Sequence, residues 1–114
     1  METKTKIKRI NGFEDYVITS IGEVISTKGC KYTMLSPNYH QKGGKGYLKV
    51  FLYKEGKRHV RFIHRLVAEH FIGSFYYLQV NHLDFDKQNN KIENLEWVTT
   101  QQNCDHYWIN KRRG

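Results

Sequence analysis

Apolar residues in this chain come in short bursts broken by glycine, asparagine and charge, which restricts the fold to short strands and few helices. The β-branched stretches 16–19 and 23–26 flank Ser20, Ile21 and Gly22, the pattern of a tight hairpin. Residues 47–53 and 59–63 flank Lys54, Glu55, Gly56 and Lys57 in the same way. Between these hairpins, residues 28–45 carry Gly29, Pro37, Gly43 and Gly44 and read as loop. A helical period begins only at Ile63, where Leu66, Val67 and Phe71 complete one stripe that stops before Gly73. Short strands are expected at 78–82 and 95–98, around a turn-rich run from Asp84 to Asn90. Thr99 and Gln102 have capping-box spacing and open a last helix through about Asn110. The expected fold is α+β: an N-terminal antiparallel β unit (residues 1–62), then a strand–loop–strand–helix module (63–114), joined as one compact unit. At 114 residues with 39% hydrophobic content, the chain suffices for one modest core, to which Trp97 and Trp108 are assigned.

Charge is distributed unevenly along this framework. Residues 1–27 are balanced, 28–65 carry ten cations against Glu55 alone, and 66–110 are mildly acidic and dense in Asn, His and Asp. The overall charge of +8 with a pI near 9.5 fits a nucleic-acid binder, although a solvated basic face would give the same numbers. A cationic stretch suits phosphates, and an oxygen- and imidazole-rich stretch suits a metal. Cys30 and Cys104 stand far apart and outside any CxxC pair, against a cysteine zinc site or a disulfide scaffold. No apolar run reaches the roughly 18–20 residues of a membrane helix, and the first residues lack the apolar core of a secretory signal. A cytoplasmic protein with reduced thiols and no membrane partner is expected.

The acidic stretch contains Val80-Asn-His82, Asn89-Asn90, Asn94-Leu-Glu-Trp-Val-Thr99 and Asn103, preceded by Ile63-His-Arg-Leu-Val-Ala68. This order resembles the HNH, or ββα-metal, endonucleases of bacteriophage and homing type, with His82, Asn94 and Asn103 as the signature. Upstream, residues 10–26 resemble a small modular DNA-binding motif found ahead of such nucleases. The resemblance spans roughly residues 7–110. It implies a DNA endonuclease that hydrolyses phosphodiesters with Mg²⁺ or Mn²⁺, leaving 5′-phosphate and 3′-hydroxyl ends.

The resemblance assigns His82 as general base, and the chemistry agrees, since an imidazole with a pKa of about 6.5 can take a proton from water at neutral pH. It assigns Asn94 to hold the loop and orient the His82 ring; an ordinary turn-forming asparagine is the alternative. Asn81 and Asn103 fall at the metal-ligand positions, where many relatives carry Asp or His. Two neutral amides offer hard oxygens but bind a cation weakly. His106, one turn beyond Asn103, is a further ligand, a phosphate contact or a structural histidine. Asp84 and Asp86 read as loop acceptors, Glu96 as a solvated or structural charge, and His64 as framework. Phe85 stands where relatives usually have glycine, so a differently shaped turn is expected there.

Lys42, Lys45, Lys49, Arg58, Arg61 and Arg65 are the expected contacts to the backbone of duplex DNA, interleaved with tyrosines. A single site per chain implies nicking by a monomer or weak dimer. With the chain stopping at Gly114, limited sequence specificity or reliance on a partner is expected. The alternatives are an HNH-fold DNA-binding protein with little or no catalysis, and a packaging-associated or RNA-directed nuclease.

Overall fold

The apolar stripe at Ile63, Leu66 and Val67 becomes helix α1 (Ile63–Phe71), around which three antiparallel sheets gather. The computed structural model describes residues 4–29, 31–41, 43–75 and 78–113. The first sheet runs in the order β1 (Ile7–Ile10), β2 (Phe13–Thr19), β3 (Val24–Ser26) and β4 (Thr33–Met34). The second comprises β5 (Asn38–Gln41), β6 (Lys45–Lys54) and β7 (Lys57–Phe62). Glu55 and Gly56, with φ of 53° and 75°, close the β6–β7 hairpin, as a two-residue turn matching strand twist requires. The third sheet pairs β8 (Gln79–His82) with β9 (Leu95–Val98), and α2 (Thr100–Arg113) follows.

Both hairpins, α1 and the closing strand–strand–helix unit lie where the residue pattern puts them. The stretch 28–45 departs from expectation, since β4 and β5 lie within it. Both are short and exposed, and their pairing to β3 and β6 supplies order that local composition does not. The capping box forms in both directions: Thr99 donates its N–H to Gln102 Oε1 (2.9 Å), and Gln102 N–H is accepted by Thr99 Oγ1 (3.1 Å).

One apolar cluster joins β1, β2, β3, β6, α1, β8 and β9. Ile10, Ile18, Val24, Val50, Leu52, Val67, Val80 and Leu95 are among its buried members, each worth about 1.5–3 kcal/mol of hydrophobic burial. Polar ties reinforce it, as where Tyr53 donates its N–H to the Tyr16 hydroxyl at 3.0 Å, joining the first two sheets. Trp97 packs half-buried against the core, while the Trp108 side chain and Cys30 lie outside the described residues.

Candidate functional site

Strand β8 places Asn81 and His82 side by side, and pairing with β9 sets Asn81 opposite Glu96 and His82 opposite Leu95. Successive strand residues point to opposite faces, so these two side chains diverge at the strand's end. Asn81, His82 and, from the first turn of α2, Asn103 nevertheless line one open cleft of about 300 Å³, with Tyr47, Val80, Phe85, Lys87 and Cys104. A second hollow shares Tyr47, Val80 and Asn103 with it and adds His40, Phe62, His64, Arg65 and Gln79.

His82 is only 5% exposed, yet forms part of the cleft wall. Burial pushes its pKa below the usual histidine value; the Asn90 hydrogen bond and the charges of Asp84 and Asp86 pull it back up, and Lys87 pushes it down. The ring is therefore neutral at physiological pH. Its Nε2 lies 2.8 Å from Asn90 Oδ1. A carbonyl oxygen only accepts, so this contact selects the tautomer protonated on Nε2 and leaves the lone pair on Nδ1.

The ring contact corrects one expectation. Asn94 was expected to orient His82, but among the described residues Asn90 makes that bond. Asn94 instead holds the loop: its amide donates to Asp84 Oδ1 and to the Asn89 carbonyl, both at 2.9 Å, and its Oδ1 accepts the Asp84 N–H at 3.0 Å. The two aspartates act as loop acceptors. Asp84 takes the Asp86 N–H (2.8 Å) and the Asn89 amide (2.8 Å), and Asp86 takes the Gln88 N–H (3.0 Å). Held by Asn89 and these partners, the Asp84 carboxyl is pushed below the usual aspartate range.

Asn81 donates its amide to Glu96 Oε1 (3.1 Å) and Asn103 donates to Gln79 Oε1 (3.1 Å). Each amide nitrogen is thus engaged, and each carbonyl oxygen is free of any protein hydrogen bond among the described residues. Two such oxygens on one cleft wall are suited to a hard divalent cation. Among the described residues, no three of His, Cys, Asp and Glu gather to hold a metal.

His106 lines neither hollow; its ring stacks on Phe85 at 4.6 Å and 10°. Phe85 takes the left-handed φ of 65° itself, so the turn expected to change shape keeps a conformation that favours glycine. His64 is buried in α1, stacked on Tyr47 at 4.6 Å and 5.2 Å from the His82 ring. Burial first, then the nearness of His82 and Arg65, pushes its pKa down to about 3.

The expected DNA-contacting cations do not share one face. Strand alternation puts Lys49 and Arg58 on the side of β6 and β7 that carries Tyr47 and Phe51; Lys49 Nζ lies 5.8 Å and the Arg58 guanidinium 4.7 Å from the Phe51 ring. Arg61 lies on the opposite side, 5.0 Å from the Phe13 ring. Arg65 pairs with Glu69 at 3.4 Å and sits 5.3 Å from the Trp97 ring, beside the cleft. Lys42 lies outside the described residues, as does the Lys45 side chain. Two residues of the site, Lys87 on the cleft wall and Asn90 behind the His82 ring, escaped the sequence reading. Lys87, with Nζ 5.1 Å from the Tyr47 ring, follows a loop whose path composition does not give, and Asn90 was legible only as half of an Asn-Asn pair.

The family profile described as HNH endonuclease matches residues 61–104. The DNA endonuclease I-HmuI of Bacillus phage SP01 is 39% identical over 101 residues, covering 87% of this chain and 55% of that protein. An uncharacterised HNH endonuclease, L245 of Acanthamoeba polyphaga mimivirus, is 42% identical over 94 residues, covering 82% of this chain and 27% of its own length. A solved structure of DNA binding and cleavage by the HNH homing endonuclease I-HmuI superposes with a TM-score of 0.82 at 36% identity, covering 93% of this chain and 59% of that one. The chain thus spans about half the length, or less, of these relatives. Among the described residues, no helix is long and apolar enough to cross a membrane.

Proposed function

Because the chain belongs to the HNH endonuclease family, we propose that it is a metal-dependent DNA endonuclease that hydrolyses phosphodiester bonds and nicks one strand per encounter. The observation that carries this reading is the presence of His82, Asn81 and Asn103 on the wall of one cleft. His82, neutral and protonated on Nε2, takes the proton of the attacking water at Nδ1. Asn90 keeps that nitrogen basic by occupying the other, and Asn94 holds the 84–94 loop in shape. Asn81 and Asn103 would hold Mg²⁺ or Mn²⁺, which when bound neutralises charge on the phosphate and the leaving oxygen.

The duplex lies along the face that runs from Tyr47 through Lys49 to Arg58, with Lys87 and Arg65 flanking the cleft, and these cations grip phosphates without reading bases. The β-rich region 1–62 and the module 63–114 work as one unit, acting as a monomer or weak dimer inside the cell.

Incubation with supercoiled plasmid in Mg²⁺ or Mn²⁺ tests the reading. Nicked circles are expected, with the rate falling about 100-fold or more in His82→Ala while DNA binding persists. A wild-type chain that binds duplex DNA and never cuts it, across both metals, would leave a DNA-binding protein of the HNH fold. The neutral Asn81 and Asn103 ligands make that the second reading. Competition among duplex DNA, single strands and RNA fixes the substrate.

A further inference from the structure

We propose that the turn Thr19–Gly22 of the first sheet is a positioning element of the nuclease site, fixing Asn90 and through it the tautomer and direction of the His82 ring. The inference rests on His82 being the base.

The turn is built to be rigid. Thr19 and Ser20 are buried, at 2% and 4% exposure. Thr19 exchanges hydrogen bonds with Glu23, donating to its carbonyl and accepting its N–H at Oγ1, both at 2.9 Å. Ser20 does the same with Lys6, donating its N–H to that carbonyl (2.8 Å) and accepting the Lys6 N–H at Oγ (2.9 Å). The Ser20 carbonyl then accepts the Ile92 N–H across the module boundary at 2.8 Å.

Gly22 completes the brace. A Cβ there would stand 2.9 Å from Asn90 Cβ and 3.2 Å from the Asn90 carbonyl oxygen, so only glycine admits this approach. Asn90 is itself 4% exposed, pressed between this turn and the His82 ring. Gly12 is the natural comparison: its φ of +82° matches the +87° of Gly22, but nothing lies within 4 Å of its missing Cβ. A methyl group at Gly12 brings the backbone strain alone, whereas one at Gly22 adds the collision with Asn90.

The full-length chain, with ¹⁵N-labelled histidine, is followed by NMR at one fixed pH alongside plasmid nicking. Wild type and Gly12→Ala are expected to show His82 protonated on Nε2. Gly22→Ala and Asn90→Ala are expected to show mixed tautomers and a kcat lowered about 10- to 100-fold, with KM little changed. Asn90→Asp, which keeps an acceptor oxygen, retains the Nε2–H signal. In the Asn90→Ala background, Gly22→Ala adds nothing further to the tautomer change. Should Gly22→Ala not fold, Ser20→Ala loosens the same turn by removing the Lys6 bond, and is expected to give the same mixed signal.

A Gly22→Ala chain with the wild-type tautomer, or one indistinguishable from Gly12→Ala, overturns the proposal; so does an unaltered signal in Ser20→Ala. A tautomer change with no change in nicking, or in a chain that never nicks, upholds the brace and removes the base role from His82 instead.

Discussion

Asn94 and Asp84 grip each other twice: the Asn94 amide donates to Asp84 Oδ1 at 2.9 Å, and Asn94 Oδ1 accepts the Asp84 N–H at 3.0 Å. This closes the loop that follows His82 and sets the start of β9 against the end of β8. Asn94→Ala is therefore expected to lower the melting temperature by several degrees and to slow nicking, even though Asn94 makes no bond to the His82 ring. Because the folded state lowers the Asp84 pKa, its bonds contribute fully above the ordinary value of 3.8 and are lost as pH falls through the lowered one. Wild type should lose this part of its stability in acid while Asn94→Ala, already lacking one of the bonds, loses less. Thermal melts across acidic pH check both.

His64 gives a different pH signature. Its pKa falls from 6.5 unfolded to about 3 folded, so the unfolded chain binds the proton first. Stability is whole above 6.5 and declines as pH drops toward 3, by up to about 1.4 kcal/mol per pH unit. Tyr47, His82 and Arg65 lie about this ring, with His40 in the same hollow, and both His82 and Arg65 oppose its charging. His64→Phe keeps an aromatic ring beside Tyr47 and removes the titration. Its denaturation midpoint should vary less with pH over that interval than that of the wild type.

Glu96 accounts for an amide rather than a carboxylate at position 81. Its Oε1 accepts the Asn81 amide across the strand pair, so Asn81→Asp sets two carboxylates face to face and is expected to destabilise the chain by about 1–3 kcal/mol. Asn81→Asp combined with Glu96→Gln restores a donor and puts a charge at the proposed ligand position. The double variant should recover the stability and need less Mg²⁺ for half-maximal nicking, read by metal titration against melting curves.

Phe85 is a strained residue with a compensating contact. Its φ of 65° costs a non-glycine residue about 1–2 kcal/mol, and its stack on His106 returns about 0.5–1.5 kcal/mol. Phe85→Ala loses the stack and keeps the strain, whereas Phe85→Gly loses both. Urea denaturation should therefore find Phe85→Gly more stable than Phe85→Ala, the reverse of the usual order of these residues.

The division of the cations between two faces predicts unequal roles. Lys49→Ala and Arg58→Ala should each lower the salt dependence of DNA binding by about one unit of slope. Arg61→Ala, whose guanidinium packs on Phe13, should leave the slope unchanged and lower stability instead. Binding isotherms at several salt concentrations separate the two outcomes.

Much of this protein was written in one dimension. The stripe at Ile63, Leu66 and Val67, the apolar and aromatic run along 47–53 ahead of its Glu55-Gly56 turn, and the Thr99–Gln102 box are local patterns, and local backbone geometry is enough to turn them into α1, β6 and the start of α2. The order of His82, Asn94 and Asn103 was legible through its resemblance to the HNH endonucleases, since no local periodicity singles those residues out. β4 and β5 were not legible, since exposed strands that short are formed by their neighbours' unpaired backbone groups rather than by their own residues. Which of two nearby asparagines meets the His82 ring was not legible either, nor was Gly22 closing on Asn90. Those contacts depend on the path of a loop and on side chains brought together from opposite ends of the chain, and only packing in three dimensions decides them.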